Sequence, residues 1–223
     1  MNEYLTSYIK RLFYLVVFGA LGVVHAGSYD DFFKAVKQDN AGKVKELLTR
    51  GFDANTTDPK GQSGLYLALA EPSPKAALLL IEWPKTDANK LNGRGESALM
   101  LAALKGNQEL AEKLIKKGGD VNKTGWTPLH YAASSGQVAI ISLLLENSAY
   151  IDAESPNSTT PLMMAAMYGT SAAVDFLLQE GADPVVKNQQ GLTALDFAKR
   201  GNRPDAIRAL AAAIKSNRPP GQW

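Results

Sequence analysis

His130 has Ser134 and Ser135 four and five residues further on, and a base beside a hydroxyl is the start of nucleophilic catalysis. The set stops there. The two serines fall at the end of one short helical stretch, and nothing but proximity links them to the ring. The other histidine, His25, belongs to a separate N-terminal segment. The acidic residues Asp53, Asp87, Asp120, Asp152 and Asp183 recur at turn positions, where Asp is a common turn former, and form no cage for a cation. Met100, Met163, Met164 and Met167 raise a redox or copper reading, but ordinary packing by a flexible thioether accounts for them. There is no cysteine, which excludes disulfides and thiolate metal sites. No Gly-x-x-x-x-Gly-Lys phosphate loop and no dinucleotide fingerprint after a strand is present. The residues therefore predict no enzyme, no cofactor and no metal.

What positions these residues is a repeat. One phrase returns five times, as GQSGL at 61–65, GESAL at 95–99, GWTPL at 125–129, STTPL at 158–162 and GLTAL at 191–195. Its last leucines are 34, 30, 33 and 33 residues apart. A period near 33 marks a stacked array. An alanine follows each leucine by three residues (Ala68, Ala102, Ala132, Ala165, Ala198). Fifteen residues on comes an apolar pair: Leu80-Ile81, Leu114-Ile115, Leu144-Leu145, Leu177-Leu178 and, weakened, Leu210-Ala211. Phe32, Ala35 and Leu47-Leu48 extend the register to a first unit that lacks the phrase, giving six units in all.

Each unit reads as two short helices. Ser63, Ser97, Thr127, Thr160 and Thr193 stand at N-cap positions, and Pro128 and Pro161 follow where a missing N–H costs nothing. Gly106, Gly136 and Gly169 are expected to end first helices as left-handed C-caps; Gly51, Gly118 and Gly181 end second ones. A helix pair cannot shelter its apolar stripe alone, whereas stacking several does so. The pattern departs from itself at Pro72-Ser73-Pro74, where the inter-helix glycine is missing and the turn must be rebuilt. That departure reads as drift or as a notch shaped for a partner. A second departure shortens the connection Lys123-Thr124, with Trp126 at its edge.

This arrangement resembles the ankyrin repeat family. The nearest unit spans 125–153 and carries the Thr-Pro-Leu-His phrase at 127–130; the resemblance covers about 29–215. It implies an all-α solenoid of helix–turn–helix units joined by short β-hairpin fingers, with units at about 29–60, 61–94, 95–124, 125–157, 158–190 and 191–215. It also implies that His130 is structural, bridging neighbouring loops. The implied function is non-enzymatic protein–protein interaction along a concave face of first helices and fingers. Carrying over the family's variable positions gives Arg94, Glu96, Leu104, Lys105, Trp126, Ser135, Thr159, Met167, Tyr168 and Leu192 as partner contacts. Trp126, Met167 and Tyr168 are expected to face one hollow, flanked by Leu104 and Leu192. Trp and Tyr are the types enriched at binding hot spots.

Residues 1–26 lie outside the repeat. Lys10-Arg11 precede an apolar run at 12–24 and then Val24-His25-Ala26, the pattern of a secretory signal peptide cut after Ala26. Thirteen residues make a helix of ~20 Å, short of the ~30 Å hydrocarbon core. The expectation is a periplasmic protein of 197 residues; the alternatives are an uncleaved anchor on the periplasmic side of the inner membrane and a secreted effector or inhibitor. Loss of Lys10, Arg11 and Glu3 leaves a charge of about +1, too balanced to suggest nucleic acid. The partner is expected to be another protein, bound by a monomer, with membrane contact only through an uncut N-terminus. Asn55, Asn122 and Asn157 head Asn-x-Ser/Thr triplets that a eukaryotic secretory route could glycosylate. Residues 216–223 form a Pro/Gly tail ending in Trp223.

Overall fold

The computed structural model describes residues 27–216. The signal-peptide reading of 1–26 and the tail reading lie outside the described residues, apart from Ser216, which closes the last helix. Twelve helices appear among the described residues. They are α1 (27–37), α2 (Ala41–Thr49), α3 (Gly64–Ala70), α4 (Pro74–Glu82), α5 (Ala98–Lys105), α6 (Gln108–Lys116), α7 (Pro128–Ser135), α8 (Val138–Glu146), α9 (Pro161–Tyr168), α10 (Ser171–Gln179), α11 (Ala194–Arg200) and α12 (Pro204–Ser216). First helices pack in one row, α3 on α5 on α7 on α9 on α11, and second helices pack in another, from α2 through to α12. The core is the seam between the rows. Leu80, Leu114, Leu144, Leu177 and Leu210 are fully buried there, as are Leu99, Leu129 and Leu162.

The alanines explain how close the rows come. Ala68, Ala102, Ala132, Ala165 and Ala198 are all buried, and a larger side chain would push the helices apart. In the first unit Ala35 holds the alanine place and Phe32 the leucine place, both buried. A Cβ added at Gly64 would stand 2.6 Å from the Phe32 ring, so α3 begins on a glycine laid against that ring.

The caps form as the sequence predicts. The hydroxyls of Ser63, Ser97, Thr127, Thr160 and Thr193 accept from the amides of Tyr66, Met100, His130, Met163 and Asp196. In four units the side chain at that third helical position returns the bond to the cap amide. Met100 Sδ, His130 Nδ1, Met163 Sδ and Asp196 Oδ2 accept from Ser97, Thr127, Thr160 and Thr193 N–H at 3.3, 3.2, 3.4 and 3.0 Å. Such reciprocal capping satisfies two otherwise free donors at each helix start. The methionines at 100 and 163 thus do the work of His130 in their own units.

Gly106 and Gly136 are left-handed, with φ of 73° and 71°. Gly169 is not: its φ and ψ are −79° and −154°. Glycine is needed there for space, because a Cβ would lie 2.3 Å from the carbonyl oxygen of Ala133. Gly51, Gly118 and Gly181 close second helices at φ of 94°, 92° and 96°. In the fourth unit Ser148 holds that place at φ 66°, with the same pair of bonds, from its own N–H to Leu145 O and from Ala149 N–H to Leu144 O.

The fingers are tight turns with no strands among the described residues; one isolated bridge pairs Thr57 with Ser63. Their arms are too short for a ladder. Each closes by two backbone bonds, as Asn92 N–H to Glu96 O and Gly95 N–H to Asn92 O, both 2.9 Å. The short connection at Lys123-Thr124 carries neither bond among the described residues. A row of asparagines clips finger to finger instead. Asn55 Oδ1 accepts from Asp87 N–H at 2.7 Å while its Nδ2 donates to Lys85 O at 2.8 Å. Asn89 does the same to Asp120 N–H and Gly118 O, and Asn122 to Tyr150 N–H and Ser148 O. The amide nitrogens of Asn55 and Asn122 are therefore both hydrogen-bonded to the next finger.

Candidate functional site

The residue two after each repeat leucine forms a stripe along the first helices: Leu67, Leu101, Tyr131, Met164 and Phe197. Leu67 and Leu101 are buried, whereas Tyr131, Met164 and Phe197 are only half-covered. The stripe thus emerges at the surface from the fourth unit onward, where the finger is shortest. Here a 260 Å³ cavity opens, lined by Leu104, Trp126, His130, Tyr131, Ser134 and Met164. Leu104 and Trp126 enter from neighbouring units, and the indole stands edge-on to the His130 ring with centroids 5.2 Å apart. The walls are mostly hydrocarbon and aromatic carbon. Such concave apolar sites with a few polar atoms are where proteins seat a ligand or a partner's side chain.

His130 is fixed by both nitrogens. Nε2–H donates to the Thr159 carbonyl of the next finger at 2.8 Å, and Nδ1 faces Thr127 Oγ1 at 2.9 Å. Burial lowers its pKa to about 4, against the opposing pull of its bonds to the Thr159 and Ala153 backbone. The ring is neutral and committed, so it has no free nitrogen to serve as a base. Ser134 and Ser135 both donate to Tyr131 O at 2.9 Å, within their own helix. Among the described residues no group of three His, Cys, Asp or Glu gathers as a metal site.

Glu96 sits beside the cavity as a hub. It accepts from Tyr66 Oη at 2.8 Å, Asn92 Nδ2 at 2.7 Å and Tyr131 Oη at 3.3 Å, and pairs with Arg94 at 3.0 Å. Burial alone would raise its pKa; the hydrogen bonds from Asn92, Tyr66 and Arg94 outweigh that and hold it below the usual carboxylate range. Burial, then the Glu96 charge, pushes the Tyr131 phenol up to about 12. Three units are therefore tied through one carboxylate.

Of the residues expected to touch a partner, Leu104 and Trp126 meet in the cavity. Arg94 and Glu96 are joined to each other at its edge. Lys105 reaches back to the Ala70 carbonyl, which ends α3. Ser135 is turned into its helix. Thr159 is a correction: it is only 2 % exposed, because its N–H donates to Ser155 Oγ and its carbonyl accepts from His130, which folds the finger over it. Met167 is half-buried, Leu192 lies half-buried in the last finger and Tyr168 is 58 % exposed; none of the three lines the cavity. The hollow expected to unite Trp126 with Met167 and Tyr168 unites it instead with Leu104, Tyr131 and Met164. Position in the repeat explains the difference. Tyr131 and Met164 sit in a place that is core in earlier units, and only the steady apolar character of that place hinted that its later members line a groove.

The sequence profile described as "Ankyrin repeats (3 copies)" matches residues 65–155 and 149–219. The p105 subunit of nuclear factor NF-kappa-B from Gallus gallus is 36 % identical over 71 % of this chain, and the B-cell lymphoma 3 protein homolog of Mus musculus is 28 % identical over 79 %. The chain spans only 17 % and 41 % of the length of these two relatives. A chain in the complex of a predatory endopeptidase from Bdellovibrio bacteriovorus with an immunity protein superposes with a TM-score of 0.70 at 32 % identity, over 82 % of this chain and 97 % of that one. An ankyrin repeat domain from Acinetobacter baumannii gives the same TM-score and coverage at 24 % identity, a likeness of fold.

Proposed function

The chain belongs to the ankyrin repeat family, whose members are generally non-enzymatic interaction modules, and on that premise we propose that it holds a protein partner of the bacterial cell envelope. The cavity at Leu104, Trp126, Tyr131 and Met164 carries this reading. It is mostly apolar, and two of its walls are held before any partner arrives, Tyr131 by the Glu96 carboxylate and His130 by the Thr159 carbonyl. A preformed pocket lowers the ordering cost of binding. The partner inserts an apolar side chain there, and Tyr168 and Arg94 make contacts further along the row. The protein acts as a monomer and catalyses nothing itself.

The partner class is an envelope hydrolase that this protein inhibits or keeps in place. Support comes from the leader pattern of residues 1–26 and from the similar chain found in a complex of an endopeptidase with an immunity protein. On this reading the protein works in the periplasm; retention of residues 1–26 would instead hold it at the inner membrane. N-terminal sequencing of the protein from the envelope fraction separates the two. Among the described residues no helix is long and apolar enough to cross a membrane. The functional test is titration of the purified protein into envelope endopeptidases. Inhibition or stable complex formation that is lost in Leu104→Asp supports the reading, and the absence of both overturns it.

A further inference from the structure

Two strongly exposed apolar side chains lie outside the Trp126 cavity. Tyr150 is 69 % exposed and Val185 is 52 % exposed. They stand in neighbouring loops, one after α8 and one after α10, and Asp183 N–H donates to Asp152 at 3.2 Å to hold those loops side by side. Both places are polar in other units. Tyr150 stands where Asp53, Asp87, Asp120 and Asp183 stand, and Val185 where Asn55, Asn89 and Asn122 stand. Tyr150 serves the fold through its backbone, whose N–H donates to Asn122 Oδ1 at 2.8 Å. Among the described residues its hydroxyl makes no hydrogen bond and its ring meets no other ring.

The surroundings carry one sign of charge. Residues 124–186 hold six acidic residues, Glu146, Asp152, Glu154, Asp175, Glu180 and Asp183, and neither lysine nor arginine. All six are at least partly exposed, and among the described residues none is in an ion pair. Glu146 is the last residue of α8, and Glu180 is the C-cap of α10. A helix C-terminus is itself partially negative and favours a cation, which Lys113 and Lys116 supply in α6. In α8 and α10 the last turn has no basic residue. The fold therefore gathers like charges beside an open aromatic face and leaves them uncompensated. Such a field repels a phosphate backbone or an anionic membrane and draws in a cationic partner.

We infer that the loops after α8 and α10 form a second docking surface, separate from the Trp126 cavity, and that it takes an arginine-bearing basic segment of a partner protein. One guanidinium lies over the Tyr150 ring, where a planar cation is attracted by the face of the phenol. Val185 receives an apolar stem, since the long side chains of basic residues carry hydrocarbon as well as charge. Further cations of the segment pair with Glu146, Glu180 and Asp183.

The test is amide-resolved NMR titration of the purified protein at low salt with hexa-arginine and, separately, with hexa-lysine. Saturable shifts of amides in 146–154 and 179–186 are expected with hexa-arginine, and hexa-lysine should bind there more weakly by roughly twofold or more. Tyr150→Asn removes the ring without changing the charge, and it is close in shape to the Asp that other units carry, so the variant folds. It should bind hexa-arginine more weakly by roughly two- to fivefold, the worth of one exposed cation–ring contact. Shifts spread evenly over the acidic residues of all six units would overturn the inference, as would equal affinity of wild type and Tyr150→Asn for hexa-arginine. Shifts at 146–154 that appear on raising the protein concentration alone would assign the patch to a second copy and overturn it as well. The comparison of the two peptides on the wild type stands whether or not the variant is recovered, and equal affinity there also overturns the inference. None of these outcomes depends on the envelope-partner reading.

Discussion

The Nε2–H of His130 donates to the carbonyl oxygen of Thr159 at 2.8 Å, so one imidazole joins the first helix of the fourth unit to the finger of the fifth. The other nitrogen, Nδ1, accepts from Thr127 N–H, and it is this bond that needs a neutral ring. Its folded pKa, about 4, lies below the free value near 6.5. As pH falls the unfolded chain takes up this proton first. The contribution is complete above pH 6.5 and is lost progressively toward pH 4, by roughly 3 kcal/mol. His130→Met should keep the cap, as Met100 and Met163 do in their own units, and lose the bond to Thr159. Urea unfolding at several pH values should show a less stable variant at pH 7 with a flatter acid limb.

Asp152 breaks the asparagine row with the opposite sign. It occupies the place of Asn55, Asn89 and Asn122, accepts from Asp183 N–H at 3.2 Å, and as a carboxylate has no N–H for the carbonyl of Gly181. Burial, with the Asp183 charge adding to it, raises its pKa. The ionised form is therefore disfavoured in the fold, and that cost is present above the folded pKa and relieved as pH falls through it. Asp152→Asn should stabilise the array by roughly 0.5–1.5 kcal/mol at neutral pH. Thermal melts should show the gain shrinking as the pH enters the carboxylate range.

Ser148 carries a left-handed φ of 66° where three other units use glycine. The side chain is strained there and reaches no better partner than a glycine would. Ser148→Gly should add roughly 0.5–1 kcal/mol. The reverse change, Gly118→Ser at φ 92°, should cost a similar amount in the same denaturation experiment.

Gly169 differs from those glycines in kind. Its backbone is one that any residue adopts, but a Cβ would stand 2.3 Å from Ala133 O. Gly169→Ala should destabilise by roughly 2–3 kcal/mol through steric displacement of the fourth and fifth units. A melting temperature within a degree of wild type would contradict this account of the loop.

Much of this fold was legible because each unit repeats the same local argument. The five N-caps, the buried alanines and the apolar pairs follow from residue types at fixed intervals. Gly169 escaped because a left-handed cap and a close backbone approach both ask for glycine, and only coordinates separate them. Thr159 escaped because a Thr in a finger looks exposed until the His130 bond draws the finger inward. The cavity was half legible. Leu104 and Trp126 stood out as apolar residues at variable positions, whereas Tyr131 and Met164 hid in a register that is core two units earlier. Glu96 looked like a free surface charge because its tyrosine partners are 30 and 35 residues away in sequence.

The central claim is that the Leu104–Trp126–Tyr131–Met164 cavity grips another protein while contributing little to stability. Leu104 is 39 % exposed, so Leu104→Asp should leave the melting temperature within a degree or two of wild type. The direct measurement is binding of the envelope endopeptidase fraction to immobilised wild type and Leu104→Asp, with both melts recorded. The account predicts capture and inhibition by the wild type and loss of both in a variant that melts normally. Equal capture by the two proteins, or loss of capture only alongside a collapsed melt, would contradict it.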